Sequence, residues 1–384
     1  MGSWSEHLGE WMEITALLWL LNDMTHSPFM GTLMVALRFL PATLFAFLGG
    51  IVADRSNRRT VLINALLASF VLSIALAAIV HLGAVRPWHL LVYSALSGVI
   101  MSFNHPARNA LVPTLVKKEH YLNAITLDNS SVTASRVVGA PLAGFIISYA
   151  GTTPVLGLRA AGALLAIFWL LLVRVPQMSS DARRKTPWHN FTEGIGYVWR
   201  RKEVLTQVLL YLLPIFITNS YTGVLPYFAR NTLGVGPDLY GILNAAPGIG
   251  AVGATLVLAS FVQVRRKELF LLLAGIAQGV GLLFFAMSPF YVVCVLLLIF
   301  IGGTNTVFMT LNNTLIQEII SDEMRGRVTA LREVSMGLGP SGSLVSGALA
   351  GVIGVPLALG FAGSLSLLVL LGILVGIPRA RHRG

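Results

Sequence analysis

Apolar residues run along this chain in unbroken stretches of about 20, and polar residues collect in the short breaks between them. A helix rising 1.5 Å per residue needs about that length to cross a hydrocarbon layer about 30 Å thick. The stretches do not alternate polar with apolar, so they do not describe strands of a lipid-facing barrel. Lipid offers backbone amides no partner, which leaves helices as the predicted spans. Twelve are predicted, at about residues 3–23, 29–52, 60–82, 88–112, 121–150, 155–174, 204–227, 238–262, 268–287, 289–316, 327–351 and 355–377. The fold class is therefore an all-α membrane protein with twelve transmembrane helices.

The longest polar stretch, Arg174 to Glu203, follows the sixth span and holds Pro176, Asp181, Arg183, Arg184 and Lys185. It turns amphipathic through Trp188, Phe191, Ile195, Tyr197 and Val198, as expected of a helix lying on a membrane surface. It divides the chain into an N-terminal six-helix half (1–174), a cytoplasmic linker (175–203) and a C-terminal six-helix half (204–384). Weak internal symmetry agrees. The basic break Gly50 to Arg59 follows the second span, and Arg265, Arg266 and Lys267 follow the eighth, though Ser260 to Val264 carries no acid. Two six-helix halves around a central path are a common build for secondary transporters.

Composition supports lipid as the solvent: 55% of the 384 residues are hydrophobic and 11% charged, against about 25% charged in soluble domains. A net charge of +11 would fit nucleic acid, but its placement argues otherwise. Arg55, Arg58, Arg59, Lys117, Lys118, Arg183, Arg184, Arg200, Arg201, Arg265, Arg325 and Arg379 fall in breaks on one side, while the other side holds only Arg86, Arg159 and Arg230. That bias predicts a multi-pass protein of the plasma membrane with both termini cytoplasmic and basic loops on anionic headgroups. The N-terminus has no basic region ahead of its apolar stretch, so no cleavable signal peptide is expected. The single cysteine, Cys294, lies inside a span and reads as packing.

Charge inside a span is costly, so each such residue is a candidate for function. Glu6, Glu10 and Glu13 recur at i, i+4, i+7 on one face of the first span. They could take up protons, or pair with a nearby arginine. Asp128 and Arg136 share a face of the fifth span. Arg136 could be a counter-ion to Glu10 or Asp128, or could hold an anionic substrate group. Arg38, His105 and Arg108 complete the set, with Pro106 able to bend the fourth span. Gly139, Pro141 and Gly144 read as helix-packing residues.

The break Gly50-Ile-Val-Ala-Asp54-Arg55-Ser-Asn57-Arg58-Arg59 resembles the signature loop between the second and third helices of the major facilitator superfamily. Asn57 stands where that pattern has glycine and is expected to adopt the same left-handed turn. Leu8-Gly9-Glu10-Trp11, Thr25-His26-Ser27-Pro28, Arg38-Phe39-Leu40-Pro41, Pro106-Ala107-Arg108 and Asp322-Glu323-Met324-Arg325-Gly326-Arg327-Val328 resemble the enterobactin-exporter-like and macrolide-efflux-like branch. The resemblance implies the major facilitator fold, with a central path lined by spans one, four, seven and ten. Path candidates are then Trp11, Trp19, Arg38, Phe103, Asn104, Arg108, Phe216, Asn219, Tyr221, Asn305, Phe308 and Met309. Glu10 sits at the branch's acidic position and leads Glu13, Asp128 and Arg136 as proton-coupling candidates. Gly139, Pro141 and Gly144 resemble a motif of antiporter branches, with Ala140 interposed. Asp54 is placed to latch onto the N-terminus of the eleventh helix, or else serves only as a topology anchor. Gly50, Arg55, Arg58 and Arg59 complete this gating loop, its arginines expected on loop acids or lipid.

No G-x-x-x-x-G-K-[ST] run, no His/Cys ligand spacing and no G-x-S-x-G elbow occurs, so neither an enzyme nor a metal or other cofactor is expected. Apolar walls with a few amides suit amphipathic molecules better than sugars. The expected function is proton-coupled efflux of drug-like or siderophore-like compounds by a monomer working through alternating access. A solute-uptake symporter and a non-transporting scaffold or receptor are the alternatives.

Overall fold

Six long helices open the chain: α1 (Gly2–Thr25), α2 (Pro28–Arg55), α3 (Arg58–His81), α4 (Pro87–Leu111), α5 (Tyr121–Ala150) and α6 (Thr152–Leu172). A second set follows: α7 (Lys202–Thr218), α8 (Tyr221–Tyr227) with a π-helical turn (Phe228–Thr232), α9 (Pro237–Ser260), α10 (Lys267–Met287), α11 (Tyr291–Ile319), α12 (Ser343–Ile353) and α13 (Val355–Gly376). The computed structural model describes residues 2–173, 196–218, 221–260, 266–321, 324, 328 and 339–376, without the side chains of 54, 113, 118, 122, 202, 203, 213–218, 340, 341 and 373–376. No strand occurs among the described residues.

The helix boundaries follow from local chemistry. Pro28 and Pro87 open α2 and α4, where a missing N–H costs nothing. Gly151 and Gly354, at φ +76° and +86°, turn the chain from α5 into α6 and from α12 into α13, a conformation that penalises any side chain. Asn57 departs from expectation. Its backbone is extended at φ −65°, ψ 110°, and its side chain caps α3 by accepting from the Arg59 amide at 3.0 Å. An N-cap uses the side-chain oxygen of Asn, not its tolerance of left-handed backbone.

Eight helices among the described residues are long and apolar enough to cross a membrane. The shortfall from twelve has two physical sources. α1 and α4 carry charged and amide residues inside the span, which lowers their hydropathy. The predicted seventh and eleventh spans include residues 219–220 and residues 327 and 329–338, which lie outside the described residues.

Neighbour relations recur between the two sets. α2 packs on α4 as α9 packs on α11, α3 on α4 as α10 on α11, and α3 on α6 as α10 on α13. The sets meet where α5 runs along α9 and where α2 runs along α12 and α8. Close approach needs small residues at these crossings. A side chain at Gly144 would strike Pro237 and Gly241, and one at Gly241 would strike Ala140 and Pro141. The largest apolar cluster gathers Trp19 of α1, Tyr221, Val224 and Phe228 around α8, Tyr240 of α9 and Phe285 of α10. It closes the end of the bundle where α1 finishes and α2 begins, called the far end below.

Candidate substrate path and charge network

Two polar sites lie inside the bundle. The first is a charge network within the first set, built on the three-glutamate face of α1. Glu13 accepts from Arg38 Nη1 at 2.7 Å on one oxygen and from Arg159 Nε at 2.9 Å on the other. Glu10 Oε1 accepts from Arg38 Nη2 at 3.0 Å. Glu6 pairs with Arg108 and accepts from Asn104 Nδ2 at 2.8 Å. His7 Nε2 lies 2.7 Å from Arg108 Nη1, and its Nδ1 lies 3.8 Å from Glu10 Oε2. Three carboxylates thus face three guanidinium groups from α2, α4 and α6, and their formal charges cancel. The glutamates do not sit at a wet helix end. Glu6 and Glu13 are buried, as are all three arginines.

Within this network Glu10 differs from Glu13. Both oxygens of Glu13 are held by guanidinium groups, and its side chain is 2% exposed. Glu10 shares one arginine, and its side chain is 21% exposed. A space of about 20 Å³, one water molecule in size, is bounded by Glu10, Glu13, Ser69, Tyr93, His105 and Arg159. Arg38 Nε and Arg159 Nη1 are buried there without a hydrogen-bond partner among the described residues.

The second site is a cavity of about 160 Å³ where the two sets face each other. Trp11 of α1 and Thr133 and Arg136 of α5 form one wall. Tyr221 of α8, Gly248 of α9, Gln278 of α10 and Asn305 of α11 form the other. Arg136 lies 4.7 Å from the Trp11 ring centroid, within cation–π range. Its Nε donates to the Asn244 carbonyl at 3.0 Å and its Nη2 reaches Asn244 Oδ1 at 3.4 Å. Asn244 Nδ2 in turn donates to Thr15 Oγ1 at 3.0 Å, tying α9 to α1. Gln278 Nε2 donates to Asn305 Oδ1 at 3.3 Å. Toward the far end, Trp19 stacks on Tyr240 at 5.4 Å and Arg230 pairs with Asp23.

The family model described as "Transmembrane secretion effector" matches residues 1–382. The chain belongs to this family. It is a multi-pass membrane transporter of the major facilitator superfamily, whose members carry small molecules and are not enzymes. Macrolide efflux protein A of Streptococcus pyogenes is 23% identical, the match covering 88% of this chain and 85% of that one. Enterobactin exporter EntS of Shigella boydii is 26% identical, over 94% of this chain and 86% of that one. A crystal structure of a POT family transporter in complex with a thioalcohol-conjugated peptide superposes with a TM-score of 0.78 at 11% identity, covering 99% of this chain and 95% of that one. The branch read from the sequence is thus the right one.

Among the sequence candidates, the transporter's central cavity gathers Trp11, Arg136, Tyr221 and Asn305. Arg38, Asn104 and Arg108 belong instead to the charge network, held there by the α1 glutamates. Trp19 is packed against Tyr240, and Phe308 is buried among α7, α10 and α13, so neither lines the cavity. Phe103 and Met309 are half-buried and also off its wall. Asp128 makes no ion pair among the described residues. Gly139 faces Leu8 and Met12 of α1, Gly144 faces α9, and Pro141 stays inside α5.

In the Gly50–Arg59 segment, Gly50 and Arg55 lie in the last turns of α2. Arg58 Nη1 donates to the Ala110 carbonyl at 3.0 Å, and Arg59 Nη2 to the Leu171 carbonyl at 2.8 Å. These loop arginines therefore reach the last turns of α4 and α6, whose free carbonyls attract cations. The side chains of Asp54 and Phe216, all of Asn219, and most of the linker fall outside the described residues.

Sequence reasoning missed Arg159, counted with the charges of a connecting segment. It lies within α6, 5% exposed, on Glu13. An arginine between Val155 and Leu170 in an otherwise apolar run was the available signal. Thr15, Asn244 and Gln278 were missed because single amides and hydroxyls in apolar helices are common and carry no spacing.

Proposed function

We propose that this transporter exports an amphipathic organic molecule across the plasma membrane in exchange for protons, by alternating access to the central cavity. The carrying observation is that cavity, walled by both sets of helices, with a balanced charge network on an adjoining face of the same α1 helix. Trp11, on the cavity, and Glu10, in the network, are neighbours in sequence, so rotation or tilt of α1 moves both. The printed names of the two relatives, an efflux protein and an exporter, support the outward direction.

On this reading the chain makes twelve spans in two six-helix halves, residues 1–174 and 204–384, joined by a cytoplasmic linker. The repeated neighbour relations support the division. Both termini are cytoplasmic and the protein works as a monomer with basic loops against lipid headgroups. The far end is then external. Contacts of α5 with α9 and of α2 with α8 and α12 close it, so the cavity is set to load from the cytoplasm. Glu10 takes the proton because, among the described residues, only one of its oxygens is held by an arginine. Asp54 latches the cytoplasmic side when the cavity turns outward.

Dye flux driven by a proton gradient tests this. Inverted vesicles should accumulate an amphipathic dye and right-side-out vesicles should not, and Glu10→Gln should abolish the gradient dependence. Accumulation in right-side-out vesicles alone would establish uptake instead. A Glu10→Gln variant that couples fully would remove Glu10 from the mechanism.

A further inference from the structure

Arg136 is the only charged residue on the wall of the central cavity among the described residues. Among the described residues no carboxylate pairs with it. Glu6, Glu10 and Glu13 are matched by Arg108, Arg38 and Arg159. Asp128 lies eight residues back on α5, about 12 Å along the axis, and forms no ion pair among the described residues. Among the described residues the guanidinium is therefore a positive charge with no carboxylate counter-ion inside a membrane protein, and such a charge is costly without one.

Its setting is also built. The Trp11 ring covers one face at 4.7 Å, and Asn244 takes Nε and Nη2. These contacts fix the plane of the guanidinium and leave Nη1 without a hydrogen bond among the described residues. A fixed fork beside an aromatic ring matches a carboxylate carried on an apolar body. The opposite wall supplies Gln278, Asn305 and Tyr221, polar groups that bring no negative charge to repel an anion.

We propose that this cavity selects substrates bearing a carboxylate, with Arg136 as the counter-ion, and disfavours cationic ones. The inference rests on the reading of the cavity as the substrate site. It is independent of direction and coupling, because binding to the purified chain in detergent needs neither vesicle nor gradient. Vesicle flux could therefore fail with this inference intact, and the reverse also holds.

The test is a titration of the full chain with three probes sharing one ring system: naphthylacetate, naphthylethanol and naphthylethylammonium. Ligand binding raises the melting temperature by mass action. The anion should bind about tenfold or more tighter than the alcohol, the span of a charge-assisted hydrogen bond, and the ammonium weakest. Arg136→Gln should bring anion and alcohol to the same affinity. Asn305→Asp, which sets a carboxylate on the facing wall and keeps the side chain's shape, should do so too and covers the case where Arg136→Gln does not fold. If Arg136 were only a strut between α5 and α9, Arg136→Gln would melt lower but keep the anion preference, and the proposal would fall. It falls equally if naphthylacetate gives no shift, or if the native chain does not tell anion from alcohol.

Discussion

The two sets of helices are built alike but filled differently. Among the described residues, every buried ionisable acid, arginine and histidine belongs to the first set: Glu6, His7, Glu13, Arg38, Arg108 and Arg159. The matching crossings of the second set use amides. Asn312 of α11 donates to Gln207 of α7 at 3.1 and 3.3 Å, and Gln278 of α10 donates to Asn305 of α11. Its ion pair Lys267–Glu318 sits at the exposed ends of α10 and α11. Packing alone does not ask for the difference, since apolar residues of similar volume hold helices together at least as well as buried ion pairs do. Among the described residues the second set thus shows the same kind of crossing held by amides where the first set uses charges.

The strongest way to break the comparison is to remove one charge from the middle of the network. Glu13→Ala leaves Arg38 and Arg159 facing each other without a carboxylate between them. Breaking a buried pair in this way costs about 3–5 kcal/mol. The melting temperature in detergent should fall further than for any single amide variant of the second set. Replacing Glu13, Arg38 and Arg159 together by methionine should return most of that stability and leave the protein unable to transport. A triple variant that transports normally would strip the network of its functional role.

How much of this was legible follows the same division. The all-helical build and the branch of the family were readable because spans repeat over twenty residues and the Gly50–Arg59 loop is dense in specific residues. The α1 glutamates were readable because three acids at helical spacing in an apolar run stand out. Their partners were not. Arg38, Arg108 and Arg159 come from three other helices, 25 to 146 residues away in sequence, and no local pattern reports which arginine meets which acid. The path candidates mixed two environments for the same reason. Trp11 and Phe308 look alike in a sequence window, yet one faces the cavity and the other is 1% exposed in packing. Asn57 shows the converse: its identity was noticed, but the same residue serves a left-handed turn or an N-cap, and only the backbone decides.

A smaller effect sharpens the comparison from the other side. Asn312 is fully buried, and its Oδ1 has no hydrogen-bond partner among the described residues while Nδ2 serves Gln207. Asn312→Leu loses an interhelical bond, worth about 0.6 kcal/mol on average between membrane helices, and also removes a buried unsatisfied oxygen. The expected change in melting temperature is small, and gradient-driven flux should stay near that of the native chain. A loss as large as that of Glu13→Ala would mean that the amides of the second set carry as much as the charges of the first.

The smallest energetic effect belongs to the ion pair that joins the two sets at the far end. Asp23 and Arg230 are 47% and 38% exposed, so solvent screens them and the pair is worth under about 1 kcal/mol. Removing it hardly changes stability, but stability is the wrong measure. Conformations that trade places during transport differ by a few kcal/mol, so even a fraction of one shifts their populations by a readable amount. Asp23→Asn should leave the melting temperature nearly unchanged and raise the labelling rate of a cysteine placed at His26, beside the α1–α2 turn. The tight glycine crossing of α5 on α9 remains in that variant, so the rise should be severalfold at most. A steric companion, Gly144→Val, wedges the same crossing and should exceed it. If labelling at position 26 were unchanged in both, the far end would not be the face that opens, and the difference between the sets would have to be explained without a moving gate.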